Sequence, residues 1–213
     1  MSRHFGRWAG IILSISLTAA LCACVPMMVG GAVVGGTLIA TDRRTSGTQL
    51  EDQGIEMRAA SRITEHLGDR VHVNVNSYNR RLLITGEVPS LKDKQLVEKV
   101  VSRVDNVVEV VNELAVLGHS TMAQRSSDAL VTGRVKASLV DAKDLYANAF
   151  LVVTERGTTY LMGRVTQREA HSATNAARST NGVQKVVRVF EIISEDELSN
   201  LLPQTAPAAK RTK

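Results

Sequence analysis

Residues 73–88 (VNVNSYNRRLLITGEV) and 150–165 (FLVVTERGTTYLMGRV) run in step, each position of the first recurring 77 places later, from Val73 and Phe150 through Val88 and Val165. A repeat constrains the fold more than composition does, because whatever one copy forms the other must form too. In each copy two alternating apolar runs flank a two-residue turn, Asn79-Arg80 or Arg156-Gly157, the pattern of a β-hairpin. A helix is expected next, opened by Ser90 or Thr166 with an acidic residue three places on; Thr166 and Glu169 have the capping-box spacing. A third strand closes each copy, over 107–117 and 183–193, and an amphipathic helix precedes each hairpin, over about 54–67 and 126–142.

The expected unit is αββαβ, an α+β fold with a three-stranded mixed sheet and both helices on one face. Two tandem copies occupy 54–118 and 126–194, joined by a linker at 119–125. A unit this small buries a modest core, so the copies are expected to pack on each other. Aromatic residues make up only 3% of the chain, so that core must come from Val, Leu, Ile and Ala. Gly86 and Gly163 stand near the end of the second strand of each copy, where a missing side chain permits a bulge or the close approach of a helix.

Ahead of the repeat, Arg3 and Arg7 precede an apolar run at 9–21, too short to span a bilayer and built like a secretory signal. The run ends in Leu21-Cys22-Ala23-Cys24, which resembles a bacterial lipobox. Residues 1–23 then form the signal peptide, and Cys24 becomes the lipidated first residue of the mature protein. Several acyl chains on that residue anchor stably where one would not. Val25 follows, not the Asp that retains lipoproteins in the inner membrane of enteric-type bacteria, so outer-membrane sorting is expected. Residues 24–53 read as a glycine-rich tether behind the lipidated cysteine, and 195–213 as a disordered tail ending in Lys210, Arg211 and Lys213.

Chemistry is poorly supported. No HExxH, CxxC, GxSxG or GK[ST] spacing occurs, and His66 and His72 have no carboxylate at a diagnostic interval. Neither an enzyme, a metal site, a cofactor nor a small-molecule substrate is expected. Nucleic acid is a poor partner for an exported chain without interleaved basic and aromatic residues.

Binding is better supported, because the copies differ in charge and in one helix face. Residues 55–118 carry nine Lys/Arg against nine Asp/Glu, whereas 126–194 carry nine against six. On a helical wheel Val131, Val135, Leu139 and Ala142 form the inner face of the second leading helix, as Ile55, Ala59 and Ile63 do in the first. The outer faces part company. Gly54, Met57, Ser61, Thr64 and Glu65 are mostly polar, while Leu130, Gly133, Ala137 and Val140 form an apolar stripe flanked by Arg134 and Lys136. A helix apolar on two sides is either buried against a neighbour, here the first domain, or rests its stripe on an anionic membrane surface. A third use is a protein-docking face for envelope assembly machinery.

The repeat resembles the BON domain, and two copies behind a lipobox resemble the dual-BON outer-membrane lipoproteins, over residues 24–194. Within that span 40–49 (ATDRRTSGTQ) and 160–170 (YLMGRVTQREA) are similar to the lipid-binding members associated with cell division and envelope stress. The resemblance implies a protein anchored in the outer membrane and facing the periplasm, contact with anionic phospholipid through the second domain, and support of envelope integrity with enrichment at the division site. It makes the stripe helix the lipid-contacting one, with an aromatic in the family where Leu130 stands here.

Overall fold

The computed structural model describes residues 42–201. The signal peptide, Cys24, most of the tether and the end of the tail lie outside them. Helix α1 (Ser46–Leu67) starts where Thr45 caps the Thr48 amide and is followed by a 3-10 turn (Gly68–Arg70). Strands β1 (His72–Tyr78) and β2 (Arg81–Val88) form the first hairpin, and α2 (Leu91–Val101) is capped by Ser90 on the Asp93 amide. The third strand runs parallel to β2 in two pieces, β3 (Glu109–Asn112) and β4 (Ala115–Val116). The second copy repeats the order with α3 (Met122–Asp141), β5 (Phe150–Glu155), β6 (Thr158–Val165), α4 (Gln167–Arg178) and β7 (Lys185–Ile192).

Both hairpins turn where the spacing placed them. Asn79 and Arg80 take φ of 52° and 66°, Arg156 and Gly157 take 48° and 72°, the positive pair that matches the twist of the flanking strands. One carboxylate on each leading helix holds its turn. Asp52 accepts from the amides of Asn79 and Arg80, and Asp128, 76 residues on, accepts from those of Arg156 and Gly157. These aspartates lie on the buried side of their helices, so each compensates its desolvation with two charge-assisted bonds.

Several boundaries differ from the sequence expectation. The first sheet counts four strands, because Leu114 turns into the core and splits the third ladder; the second sheet has the expected three, ordered β5-β6-β7. The tether does not extend to residue 53: α1 begins at Ser46, and Arg43 is already buried. The linker is mostly helix, since Thr121 and Gln124 form a capping box that starts α3 at Met122. The tail begins with helix α5 (Glu195–Leu201), pinned by buried Leu198 and by Arg164, whose Nη2 donates to Glu197 at 2.6 Å.

The glycines are explained by a strand rather than a helix. A Cβ on Gly163 would lie 2.5 Å from the carbonyl oxygen of Ala149, and one on Gly86, at φ of 114°, would strike the carbonyl of His72. The obstacle in both is the backbone at the start of the neighbouring first strand of the hairpin.

Each sheet has one face on its helices and the other on its sister sheet. Leu82 and Ile84 of β2 pack with Ile55, Ala59, Val97 and Val101, and Leu161 of β6 packs with Val131, Val135, Ala173 and Ala177. The intervening residues point the other way: Tyr78 and Leu83 meet Tyr160, Met162 and Val189 in a third cluster between the sheets. Four layers result, helices outside and two sheets inside. The central strands are therefore buried on both faces, which is why they read as near-continuous apolar runs. Tyr78 donates its hydroxyl to the Ala149 carbonyl across this seam, and burial, with Asp42 nearby, pushes its phenol up to about 12, keeping it a donor.

Candidate lipid-facing surface

Helix α3 lies in the outer layer of the second domain, and its two sides are sharply distinguished. Val131, Val135 and Leu139 are buried on β5, β6 and α4. Leu130 is 63% and Val140 68% exposed, and Gly133, Arg134, Lys136 and Ala137 are exposed with them. All six stripe residues thus share one open face. Packing of this stripe against the first domain, one of the two expectations, is not found, because the domains meet through their sheets and α3 lies on the far side of its own sheet.

The electrostatics of the face follow from where its acids go. Asp128 points inward to the hairpin turn, Asp141 stays exposed as the last residue of the helix, and beyond it Asp144 is taken by Ser172 and Arg168, whose hydrogen bonding and charge hold its carboxyl below the usual range. Arg134 makes one long bond to the Asn181 carbonyl at 3.5 Å, and no described carboxylate pairs with Arg134, Lys136 or Lys143. Beside the stripe a cleft of about 460 Å³ is lined by Gln124, Ser127, Arg134 and Gln184. Of the two residues after the helix, Leu145 packs on the domain core and Tyr146 is 46% exposed.

Arg43, the second described residue, is fixed to this same domain. Arg43 donates from Nη1 and Nη2 to the two oxygens of Glu169, at 2.7 and 2.6 Å, and from Nη1 to the Arg164 carbonyl. Both side chains are almost wholly buried. Against the cost of desolvation, these bonds and the Thr166 amide hold the Glu169 carboxyl below the usual range. Glu169 follows Arg168, which reaches the Asp144 carbonyl just past the end of α3. The chain therefore enters the fold near the C-terminal end of the exposed helix. Nothing in sequence spacing could pair residues 43 and 169; the Thr166/Glu169 capping box was visible, the cation was not.

Further polar contacts tie the domains together. The Arg156 guanidinium of the second hairpin turn donates to Glu87 at 2.6 Å and to the Gly118 carbonyl, while the Asn79 amide of the first turn donates to Glu191. Each turn thus reaches an acid in the other domain.

Among the described residues no helix is long and apolar enough to cross a membrane. The BON domain model matches residues 52–118 and again 127–194. The outer membrane lipoprotein DolP of Haemophilus influenzae is 33% identical over 185 residues, 86% of this chain and 95% of that protein. A 21 kDa hemolysin of Actinobacillus pleuropneumoniae is 28% identical over 154 residues, 71% of this chain and 79% of that one. A solved structure of CdsD, a structural protein of the type III secretion system of Chlamydia trachomatis, aligns over 75% of this chain and 99% of its own, at 15% identity and a TM-score of 0.29.

Proposed function

The chain belongs to the BON-domain family, as a dual-BON outer-membrane lipoprotein like DolP, and from that premise we propose that the exposed face of α3 binds anionic phospholipid at the periplasmic side of the outer membrane. Leu130, Gly133, Ala137 and Val140 enter the acyl boundary; Arg134 and Lys136 meet headgroups. The observation that carries this reading is an apolar stripe left open on the outermost layer of a folded domain, flanked by cations without carboxylate partners.

The energetics suit an assisted contact. Each cation near an anionic surface contributes about 1 kcal/mol, and the stripe is too short to hold the domain on a membrane alone. Anchoring supplies the rest. Signal cleavage before Cys24 and acylation of its thiol and amine attach the chain 18 residues before Asp42, a span of at most roughly 60 Å, so the domain meets the surface at high effective concentration. Entry of the chain beside the end of α3 favours the orientation in which the stripe faces the bilayer. The role is non-enzymatic: a surface-bound module that supports envelope integrity and concentrates where anionic lipid is enriched, the division site included.

The test is titration of the unlipidated chain from Asp42 onward with vesicles of anionic or zwitterionic lipid while residue-resolved NMR shifts are followed. Shifts confined to residues 128–146, and only with anionic lipid, are expected. Unperturbed α3 signals at saturating anionic lipid would exclude the reading and favour a protein-docking use of the same face.

A further inference from the structure

The seam between the domains gathers a histidine and two buried carboxylates that the lipid-facing surface does not use. His72, at the start of β1, places Nδ1 2.8 Å from Glu87 Oε2 at the end of β2. Glu155, the last residue of β5, comes across from the second domain. One potential ligand atom from each of the three lies within 4.8 Å of the others. Glu87 is fully buried and Glu155 only 9% exposed. The ring of His119 stands 6.4 Å from that of His72, and a cleft of about 420 Å³, lined by His72, Glu155 and Asp128 among others, opens onto the cluster.

The charges here are unevenly served. Glu87 is well satisfied, with Arg156 on one oxygen and Ser120 and His72 on the other, and against desolvation these bonds hold its carboxyl below the usual range. Glu155 is not. Its Oε2 accepts one hydrogen bond from the Asn74 side-chain amide, and no described group donates to Oε1. Burial raises its carboxyl above the usual range despite the Asn74 bond, and Glu87 and Asp128 push the same way. A nine-tenths buried carboxylate with an open oxygen, next to a second carboxylate and an imidazole, is a donor set of the kind a divalent cation takes.

We propose that His72, Glu87 and Glu155 form a divalent-cation site of the zinc class that joins the two BON domains. One imidazole nitrogen with two carboxylate oxygens is a ligand set zinc accepts, leaving a fourth position for water or for His119. Tetrahedral bonds of about 2.0–2.2 Å need ligand atoms roughly 3.3 Å apart, so pairs as far apart as 4.8 Å close by up to about 1.5 Å while His72 and Glu87, at 2.8 Å, open slightly. Arg156, Ser120 and Asn74 hold the carboxylates from outside, the role that supporting hydrogen bonds play around metal ligands. Binding through Nδ1 places the ring N–H of His72 on Nε2, and Glu87 Oε2 exchanges its contact with the ring for the ion. The ion spans elements of both domains, so it holds the domain pair together.

Zinc chloride is titrated by calorimetry into the full mature lipoprotein in detergent. One ion per chain is expected, with a melting temperature that rises with zinc concentration. Glu155→Gln keeps the size of the side chain and an oxygen for Asn74, and should weaken binding at least tenfold with the fold intact. His72→Asn should do the same, and His66→Ala, on exposed α1, should change nothing. No zinc-dependent rise in melting temperature, or equal affinity in wild type and Glu155→Gln, would overturn the site. So would a loss in His66→Ala matching that in His72→Asn, which would mean surface histidines take the metal.

Discussion

Helices α1 and α3 occupy the same place in their domains, and their inner faces superpose residue for residue: Asp52 and Asp128, Ile55 and Val131, Ala59 and Val135, Ile63 and Leu139, each 76 places apart. Their outer faces share no such correspondence. On α1 the exposed apolar residues Leu50 and Met57 stand two turns apart among Gln53, Ser61 and Thr64, and Arg58 is paired with Glu51 at 2.6 Å. On α3 Leu130 and Val140 are linked by Gly133 and Ala137, and neither Arg134 nor Lys136 is ion-paired with a described carboxylate. The difference teaches where the freedom lies. Positions that meet the sheet are dictated by it; positions that meet solvent are open to function.

The largest effect should come from the matched aspartates. Asp52→Ala strands the amides of Asn79 and Arg80 and also releases Ser77 and Arg44, so a loss of about 3–4 kcal/mol is expected in urea unfolding. Asp128→Ala strands two amides only and should cost about 2–3 kcal/mol. Equal costs would mean that the extra partners of Asp52 contribute nothing.

Next is the Arg43–Glu169 pair, buried on both sides, whereas Asp93, the counterpart of Glu169 in the first domain, pairs with an exposed Arg70. Arg43→Ala leaves Glu169 buried without its cation and should destabilise by about 3 kcal/mol at neutral pH. The folded carboxyl of Glu169 lies below its unfolded value, so its contribution is present above the ordinary carboxylate range and is lost as pH falls through the folded value. The gap between wild type and Arg43→Ala should therefore narrow on acidification. A constant gap from pH 7 to 3 would assign the effect to packing.

The outer faces are compared most directly by placing the same charge on each. Leu130→Glu should weaken binding to anionic vesicles more than tenfold while leaving the melting temperature nearly unchanged, because Leu130 is exposed and lies about 140° around the helix from buried Val135. Met57→Glu, on the opposite outer layer, should leave vesicle binding unaltered. A loss in both variants would show that the contrast between the helices has no bearing on lipid.

The smallest effect is electrostatic. Arg134→Gln should reduce vesicle affinity by about 1 kcal/mol at low salt, and the difference should fade as ionic strength approaches 1 M. A difference that ignores salt would place Arg134 in a packing role.

Much of this molecule was written locally. The hairpin turns at Asn79 and Arg156, the caps at Ser90 and Thr166, and the inner helix faces all depend on residues two to four places apart, and the repeat states each of them twice. The six stripe residues were legible for the same reason, since helical spacing alone puts them on one face. The helices start ahead of their apolar pattern, at Ser46 and Met122, because Thr45 and the Thr121/Gln124 box precede that pattern rather than belong to it. Tertiary structure decided what the second apolar side of each element meets. Periodicity records that Leu83 and Met162 are apolar, but not that they face each other across two sheets, and so could not say which surface would stay open. It likewise could not join Arg43 to Glu169, 126 residues apart, or Asn74 to Glu155, 81 apart. Contacts over such separations depend on which elements lie side by side in the packed fold, where burial requires each polar group to find a partner.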